Sequence, residues 1–346
     1  MKGNYMKYCL LSVSKRVKSV NIGDYIQALA SSQFLPSVDG FVEREELRDY
    51  DGEDCNMIMN GWYMHFPVQW PPSSKIHPLF VAFHINILAK ERMLMADSID
   101  YLKRYEPIGC RDIATRDMLL ASGVDAYFSG CMTLTLGHKY KYNGDRSGVY
   151  FVDPVVRLRS RIEKIKWILR AFAHPLKVKH LFEKRKKRFE SFLHRIAFAS
   201  KFFYVYRKYF TDETLLNATF KMQEGMEYKD DYFTEESRLQ AAAELVKAYS
   251  KAALVVTSRI HCALPCLGIE TPVIYLYDDS QAKVSTCRLD GLLDLFNIIH
   301  VDDMKFYSTD IDLSSKIDCN INIRNKEKWR QYCDGLIDRC SRFIQG

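Results

Sequence analysis

Long apolar runs are what this 346-residue sequence most lacks. No stretch approaches the roughly 20 consecutive apolar residues that a membrane-spanning helix requires. The opening run, "MKGNYMKYCLLSV", is too short and too broken for a secretion signal, so the sequence predicts a protein that stays in the cytosol. Cys-x-x-Cys pairs and Cys/His knuckles are also missing. The ten cysteines therefore point to no zinc site and no disulfide framework. Cys9, Cys110, Cys131, Cys262 and Cys266 sit in apolar or small-residue runs, where a reduced thiol behaves as a small core hydrophobe. There are no internal repeats and no low-complexity tracts.

What is present is an ordinary globular composition, 47% hydrophobic and 27% charged, in a chain longer than most single domains. Two domains sharing a cleft are the expectation. The net charge of +7 conceals an asymmetry. Between Arg157 and Lys208, 17 Lys and Arg face three Glu, a local balance of +14 that leaves −7 for the rest of the chain.

Strand and helix patterns alternate along the sequence, the signature of an α/β fold with largely parallel sheets. "KYCLLSV" reads as a strand and "NIGDYIQALASSQFL" as the helix after it; "NMIMNGW" and "LFVAFHI" read as buried strands. The polar, glycine-bearing stretch "GHKYKYNGDRSG" marks a boundary, dividing the chain into domains 1–146 and 147–346. The second domain opens on "VYFVDP", carries the basic helical insertion at about 156–215, and continues through "ALVVTS", "RIHCALPCLG" and "PVIYLY" to a closing helix from Lys326 to Phe343.

The chemistry concentrates in "VVTSRIHCALPCLG", where a buried strand meets an apolar helix. Ligands of open α/β sheets bind outside the carboxyl ends of the strands, at helix N-termini that attract anions. Ser258, Arg259 and His261 occupy that seam. Arg259 supplies a forked cation for carboxylate or phosphate, and His261 a group that moves protons near neutral pH. The competing reading is structural: Arg259 in a salt bridge, His261 as a satisfied polar residue.

This block resembles the C-terminal signature of the polysaccharide pyruvyl transferase family, T-S-R-[LI]-H followed by an apolar helix and G-x-x-x-P-V-I. "NIGDYIQ" is similar to the family's N-x-G-D turn, and "GCRDIATRDMLLASGVDAYFSGC" to its R-D-x-x-[ST] block. The resemblance implies two Rossmann-like domains facing a cleft in a GT-B-like arrangement. It implies transfer of a pyruvyl group from phosphoenolpyruvate, the donor substrate, to a sugar of a glycan or lipid-linked oligosaccharide, forming a cyclic ketal without a cofactor. It further implies Arg111, Arg259 and Lys283, with Ser258, as donor-binding groups and His261 as general acid/base. Asp24 has two readings, base for the acceptor hydroxyl or turn residue at the helix start. Asp112 is read as orienting Arg111.

The sequence departs from the family's pattern in "NGWYMHFPVQWPPSSKIHPLFVAFHIN", which is aromatic where members often carry a Gly-rich loop. Trp62, Tyr63, His65, Trp70 and His84 are expected to stack on the acceptor sugar; ordinary core contacts are the alternative. No metal-ligand cluster is evident. In the basic insertion, Trp167, Ile168, Phe172, Leu176, Leu181, Phe182, Phe189, Phe192 and Leu193 recur at helical spacing among the cations. That pattern suits the anionic inner face of a membrane; a solvated helical lid is the alternative, and nucleic acid ranks last because no nucleic-acid fold accompanies it. Two other functions remain open: a nucleotide-sugar-dependent glycosyltransferase of the same architecture, disfavoured by the lack of an acidic pair for a ribose, and a non-enzymatic peripheral membrane protein.

Overall fold

The computed structural model describes residues 6–13, 20–185, 190–225, 234–281, 287–318 and 321–346. Its first sheet contains β1 (Lys7–Ser12), β2 (Gly40–Glu43), β3 (Cys55–Tyr63), β4 (Ile76–Ile85), β5 (Ile108–Cys110) and β6 (Ala126–Phe128), all parallel, in the order β2-β1-β3-β4-β5-β6. A second sheet contains β7 (Val149–Val152), β8 (Thr219–Lys221), β9 (Leu254–Thr257), β10 (Val273–Asp278), β11 (Asn297–Asp302) and β12 (Lys305–Tyr307). Its order is β8-β7-β9-β10-β11-β12, with only β12 antiparallel. The two sheets therefore repeat one strand order. Each reverses direction once, between β1 and β3 in the first and between β7 and β9 in the second, and such switch points open crevices for ligands.

Buried parallel strands need apolar side chains on both faces, which is why "LVVT" in β9 and most of β10 are fully buried. Local capping fixes the helices that follow. Asn21 accepts from Gly23 N at the start of the helix Ile22–Ser32, Asp112 accepts from Thr115 N ahead of Ile113–Ala121, and Thr234 forms a capping box on Glu235–Ser250.

One apolar core runs through both halves, joining Ile22, Ile26 and Leu29 to Leu245, Tyr249, Cys262 and Leu267. The halves are further tied by Tyr25 Oη donating to Glu235 at 2.6 Å and by the pairing of Val20–Asn21 with Glu224–Gly225. A Cβ on Gly268 would overlap the Leu134 carbonyl oxygen, so the glycine lets the two backbones touch. The closing helix, Arg330–Gln345, starts four residues later than its sequence pattern suggests. It packs back on the first half, with Tyr332 against Phe128 at 4.9 Å and Cys340 against Met132. The described cysteines form no disulfide with one another. Among the described residues no helix is long and apolar enough to cross a membrane.

The basic segment folds as the helices Arg161–Arg170, Pro175–Lys184 and Phe192–Tyr206 with a short helix Asp212–Asn217. Its apolar residues divide between two surfaces. Trp167, Val178, Leu181, Phe202 and Phe203 are buried, several of them in the core beneath the second sheet, whereas Phe172, Leu176, Phe192 and Leu193 face outward. Phe189 lies outside the described residues.

Candidate active site

A cavity of about 790 Å³ lies where the two switch points meet. Val13 and Trp62 reach it from the ends of β1 and β3, Arg111 from the end of β5, and Ser258, Arg259 and His261 from the end of β9. Asn21, Asp24, Arg44, His65, Gln223, Tyr275 and Arg288 complete much of the wall.

On the second-sheet side, the turn after β9 is held by its neighbour after β7. Asp153 adopts a left-handed backbone, φ 44°, a conformation that aspartate takes up more readily than most non-glycine residues. From that position its carbonyl accepts from Ser258 Oγ at 2.6 Å, and its carboxylate accepts from Arg259 Nε at 3.0 Å and Gln223 N at 3.1 Å. Arg259 is the N-cap residue of the helix Ile260–Gly268, which sets His261 in the first turn. Pro265 sits inside that helix and has no N–H for the carbonyl four residues earlier, that of His261. Gln223 supplies the missing donor: its Nε2 reaches His261 O at 3.0 Å, although Gln223 is itself only 1% exposed.

The His261 ring is partly buried, and its Nε2 is enclosed without a hydrogen-bond partner among the described residues. Burial, and then the charges of Arg111, Arg288 and Arg259, hold its pKa well below the usual histidine value. The imidazole is therefore neutral at pH 7. A Cβ on Gly23 would stand 3.2 Å from His261 Nδ1, so the glycine of the N-x-G-D turn makes room for this ring.

The first-sheet side is assembled from distant segments. Arg111 is 3% exposed, yet its guanidinium donates only to Gln27 Oε1, at 3.3 Å, among the described side chains. Burial lowers its pKa, but a guanidinium stays charged in proteins. The result is a desolvated cation with unused donors at the cavity wall. Behind it, His84 Nδ1 donates to Asp112 at 2.6 Å, and burial together with Arg111 pushes the His84 pKa down to about 4. Arg44 lies over the Trp62 ring at 4.8 Å and donates to Glu45 at 2.9 Å. The same Glu45 carboxylate accepts from the backbone N–H of His65 and Phe66, fixing the loop that carries His65.

The structure thus gathers Asp24, Trp62, His65, Arg111, Ser258, Arg259 and His261 around one cavity. Asp24 is also bonded by Gln27 Nε2 at 3.3 Å. Three residues expected to meet a sugar lie elsewhere. Tyr63 and Trp70 are fully buried against Phe83 in a core on the first sheet, so neither ring face is open to a ligand. His84 is 3% exposed and spends its Nδ1 on Asp112 and Thr115; it braces the base of Arg111. Lys283 lies outside the described residues.

Sequence reasoning missed Arg44, Arg288, Asp153 and Gln223. The Val-Asp-Pro ending of β7 was a signal for Asp153, because it occupies the same place after its strand as Ser258 does after β9. Nothing local marks Gln223. Among the described residues, no group of three or more His, Cys, Asp or Glu side chains is placed to hold a metal ion.

Chemically, the cavity sets several guanidinium groups and the neutral imidazole of His261 around a space large enough for a small anion and a sugar. The family model for polysaccharide pyruvyl transferase matches residues 21–280. No curated protein and no solved structure gives a significant match.

Proposed function

The chain belongs to the polysaccharide pyruvyl transferase family, and from that premise we propose that it transfers the pyruvyl group of phosphoenolpyruvate to a sugar, forming a cyclic ketal. The sugar is part of a polysaccharide or of a lipid-linked glycan intermediate, and the reaction runs in the cytoplasm, where phosphoenolpyruvate is available. The observation that carries this reading is Arg111, a buried cation with unused donors, sharing one cavity with Arg259, Arg288 and His261. Phosphoenolpyruvate bears a phosphate and a carboxylate, and forked cations in a poorly solvated site suit both. The repeated strand order and shared cavity support a GT-B-like arrangement of two Rossmann-like units.

In this reading one acceptor hydroxyl adds to C2 of the enol while C3 takes a proton and becomes a methyl group. Phosphate leaves C2, and a second hydroxyl closes the ketal. The two hydroxyl protons end on the methyl carbon and on phosphate. Neutral His261 takes the first proton and returns it to C3 as imidazolium, a form that the bound dianion stabilises. Asp24 orients or deprotonates an acceptor hydroxyl, and Trp62 with His65 contacts the sugar ring.

The test is phosphate release from phosphoenolpyruvate by the purified protein with a panel of soluble and lipid-linked sugars. Turnover is expected to persist in a chelator, since protein cations neutralise the donor. Absence of phosphoenolpyruvate consumption with every acceptor removes this reading, and turnover of a nucleotide sugar in its place favours a glycosyltransferase. Loss of phosphoenolpyruvate turnover in the chelator, restored by magnesium or manganese, overturns only the expectation that protein cations alone neutralise the donor.

A further inference from the structure

The outer surface of the basic helices carries a feature that the catalytic cavity does not use. Ile162, Ile165, Leu169, Phe172 and Leu176 follow one another at alternating spacings of three and four and are 80%, 57%, 62%, 77% and 81% exposed. The first four share one face of the helix Arg161–Arg170 and the short turn after it, and Leu176 follows at the start of Pro175–Lys184, beyond the break at His174. Isolated exposed apolar residues are ordinary on a soluble protein, but five large ones within fifteen residues of chain mark an interaction surface.

The stripe is held rigidly. Trp167, on the opposite side of the first helix, is 2% exposed, and Lys201 Nζ bonds Glu163 at 2.7 Å, Asp303 at 2.8 Å and the Arg157 carbonyl at 2.8 Å. The outward face is therefore a fixed property of the fold. Arg161, Lys164, Lys166 and Arg170 interleave with the stripe, within a segment whose balance is +14 in a chain whose remainder carries −7.

We propose that this face docks on an anionic lipid bilayer, with the five apolar side chains entering the interface and the flanking cations reaching lipid phosphates. Charge chooses this occupant. Stripe-to-stripe pairing of two copies would bring two +14 segments together, whereas an anionic leaflet complements them. A helix lying in the interface buries its apolar face about 5–10 Å deep, the reach of such side chains. The inference concerns only this face and does not depend on the donor chemistry of the cavity.

Vesicle flotation of the full chain tests it, with phosphatidylcholine alone or with phosphatidylglycerol added. The wild type is expected to float only with the anionic vesicles and to be released as salt rises. Combining Leu169→Ser, Phe172→Ser and Leu176→Ser should cut partitioning by about tenfold or more, with the melting temperature unchanged because the residues are exposed. Combining Arg161→Gln, Lys164→Gln and Lys166→Gln should cut low-salt partitioning by roughly tenfold to hundredfold and flatten its salt dependence. Hydrogen exchange on the wild type provides a second readout, with protection on anionic vesicles expected across residues 161–179. The proposal is overturned by lack of flotation at low salt, by flotation indifferent to the serine changes, or by a solution dimer that those changes convert to monomer.

Discussion

At the second sheet's switch point, the cavity groups Ser258, Arg259 and His261 come from one short run of chain; at the first, Asp24, Arg44, Trp62 and Arg111 come from four separate segments. The strand order is the same on both sides, so topology does not explain the contrast. Environment does. Arg259 keeps 37% of its side chain exposed and rests on Asp153, while Arg111 is buried with a neutral amide as its described side-chain partner. The desolvation of Arg111 is met during folding, so an arriving anion finds a cation already stripped of water. The second side places a proton carrier, and the first supplies a preorganised charge.

The largest expected effect breaks the second side. His261→Ala should lower kcat by about 10²–10⁴-fold in steady-state assays of the folded protein. Because burial and three nearby arginines depress its pKa, the acidic limb of kcat/KM in the wild type should fall below pH 6.5. Near-normal turnover of the variant, or a limb at or above pH 6.5, would assign proton transfer to another group.

Next come the two cations. Arg111→Ala should raise the donor KM by roughly ten- to a hundredfold, from the loss of charge-assisted bonds at a buried site. Arg259→Ala should raise it less, about tenfold, because that guanidinium is half in water and already shared with Asp153. Lysine at position 111 should recover only part of the loss, since a point charge does not reproduce the fork. Isothermal titration with phosphoenolpyruvate measures both, and a larger loss from Arg259→Ala would invert the comparison.

The same contrast explains what could be read in the sequence. Strand β9, its turn and the following helix are contiguous, so their buried run, polar seam and apolar helix announce a site with no long-range information. The first side depends on contacts between segments distant in sequence. The aromatic stretch from Trp62 to Trp70 shows the difficulty: its composition suits a sugar platform or core contacts alike, yet successive residues of a strand face opposite ways. That alternation was available and separates Trp62, at the cavity, from Tyr63, in the core. The basic segment divides in the same manner, with Trp167 and Leu181 inward and Phe172 and Leu176 outward. Gln223 was invisible, because its role exists only where Pro265 leaves the His261 carbonyl without a donor.

That last contact yields a finer test. Gln223→Leu should lower kcat by about tenfold with little change in donor KM, because the His261 backbone loses its brace while the cations stay in place. Adding Pro265→Ala restores an N–H within the helix for the same carbonyl, and the double variant should regain much of the activity. If the two changes are simply additive, Gln223 acts through its other bond, to the Tyr249 hydroxyl.

The smallest effect concerns the bracing behind Arg111 and appears in stability. His84 has a pKa of about 4 in the folded protein against about 6.5 when unfolded, so between those values the unfolded chain binds the extra proton. Its contribution is fully present above pH 6.5 and is lost as pH falls toward 4, at up to about 1.4 kcal/mol per pH unit. Gln at position 84 keeps a donor for Asp112 but does not titrate, so denaturant midpoints of His84→Gln should decline less steeply than wild type between pH 6.5 and 4.5. His261 is depressed too and adds its own slope, which the His261→Ala protein isolates. If His84→Gln leaves the wild-type slope intact, His84 is already protonated in the fold. The Asp112 carboxylate would then face two cations, and Arg111 would share it with a second buried positive charge, which narrows the contrast between the first side and the second.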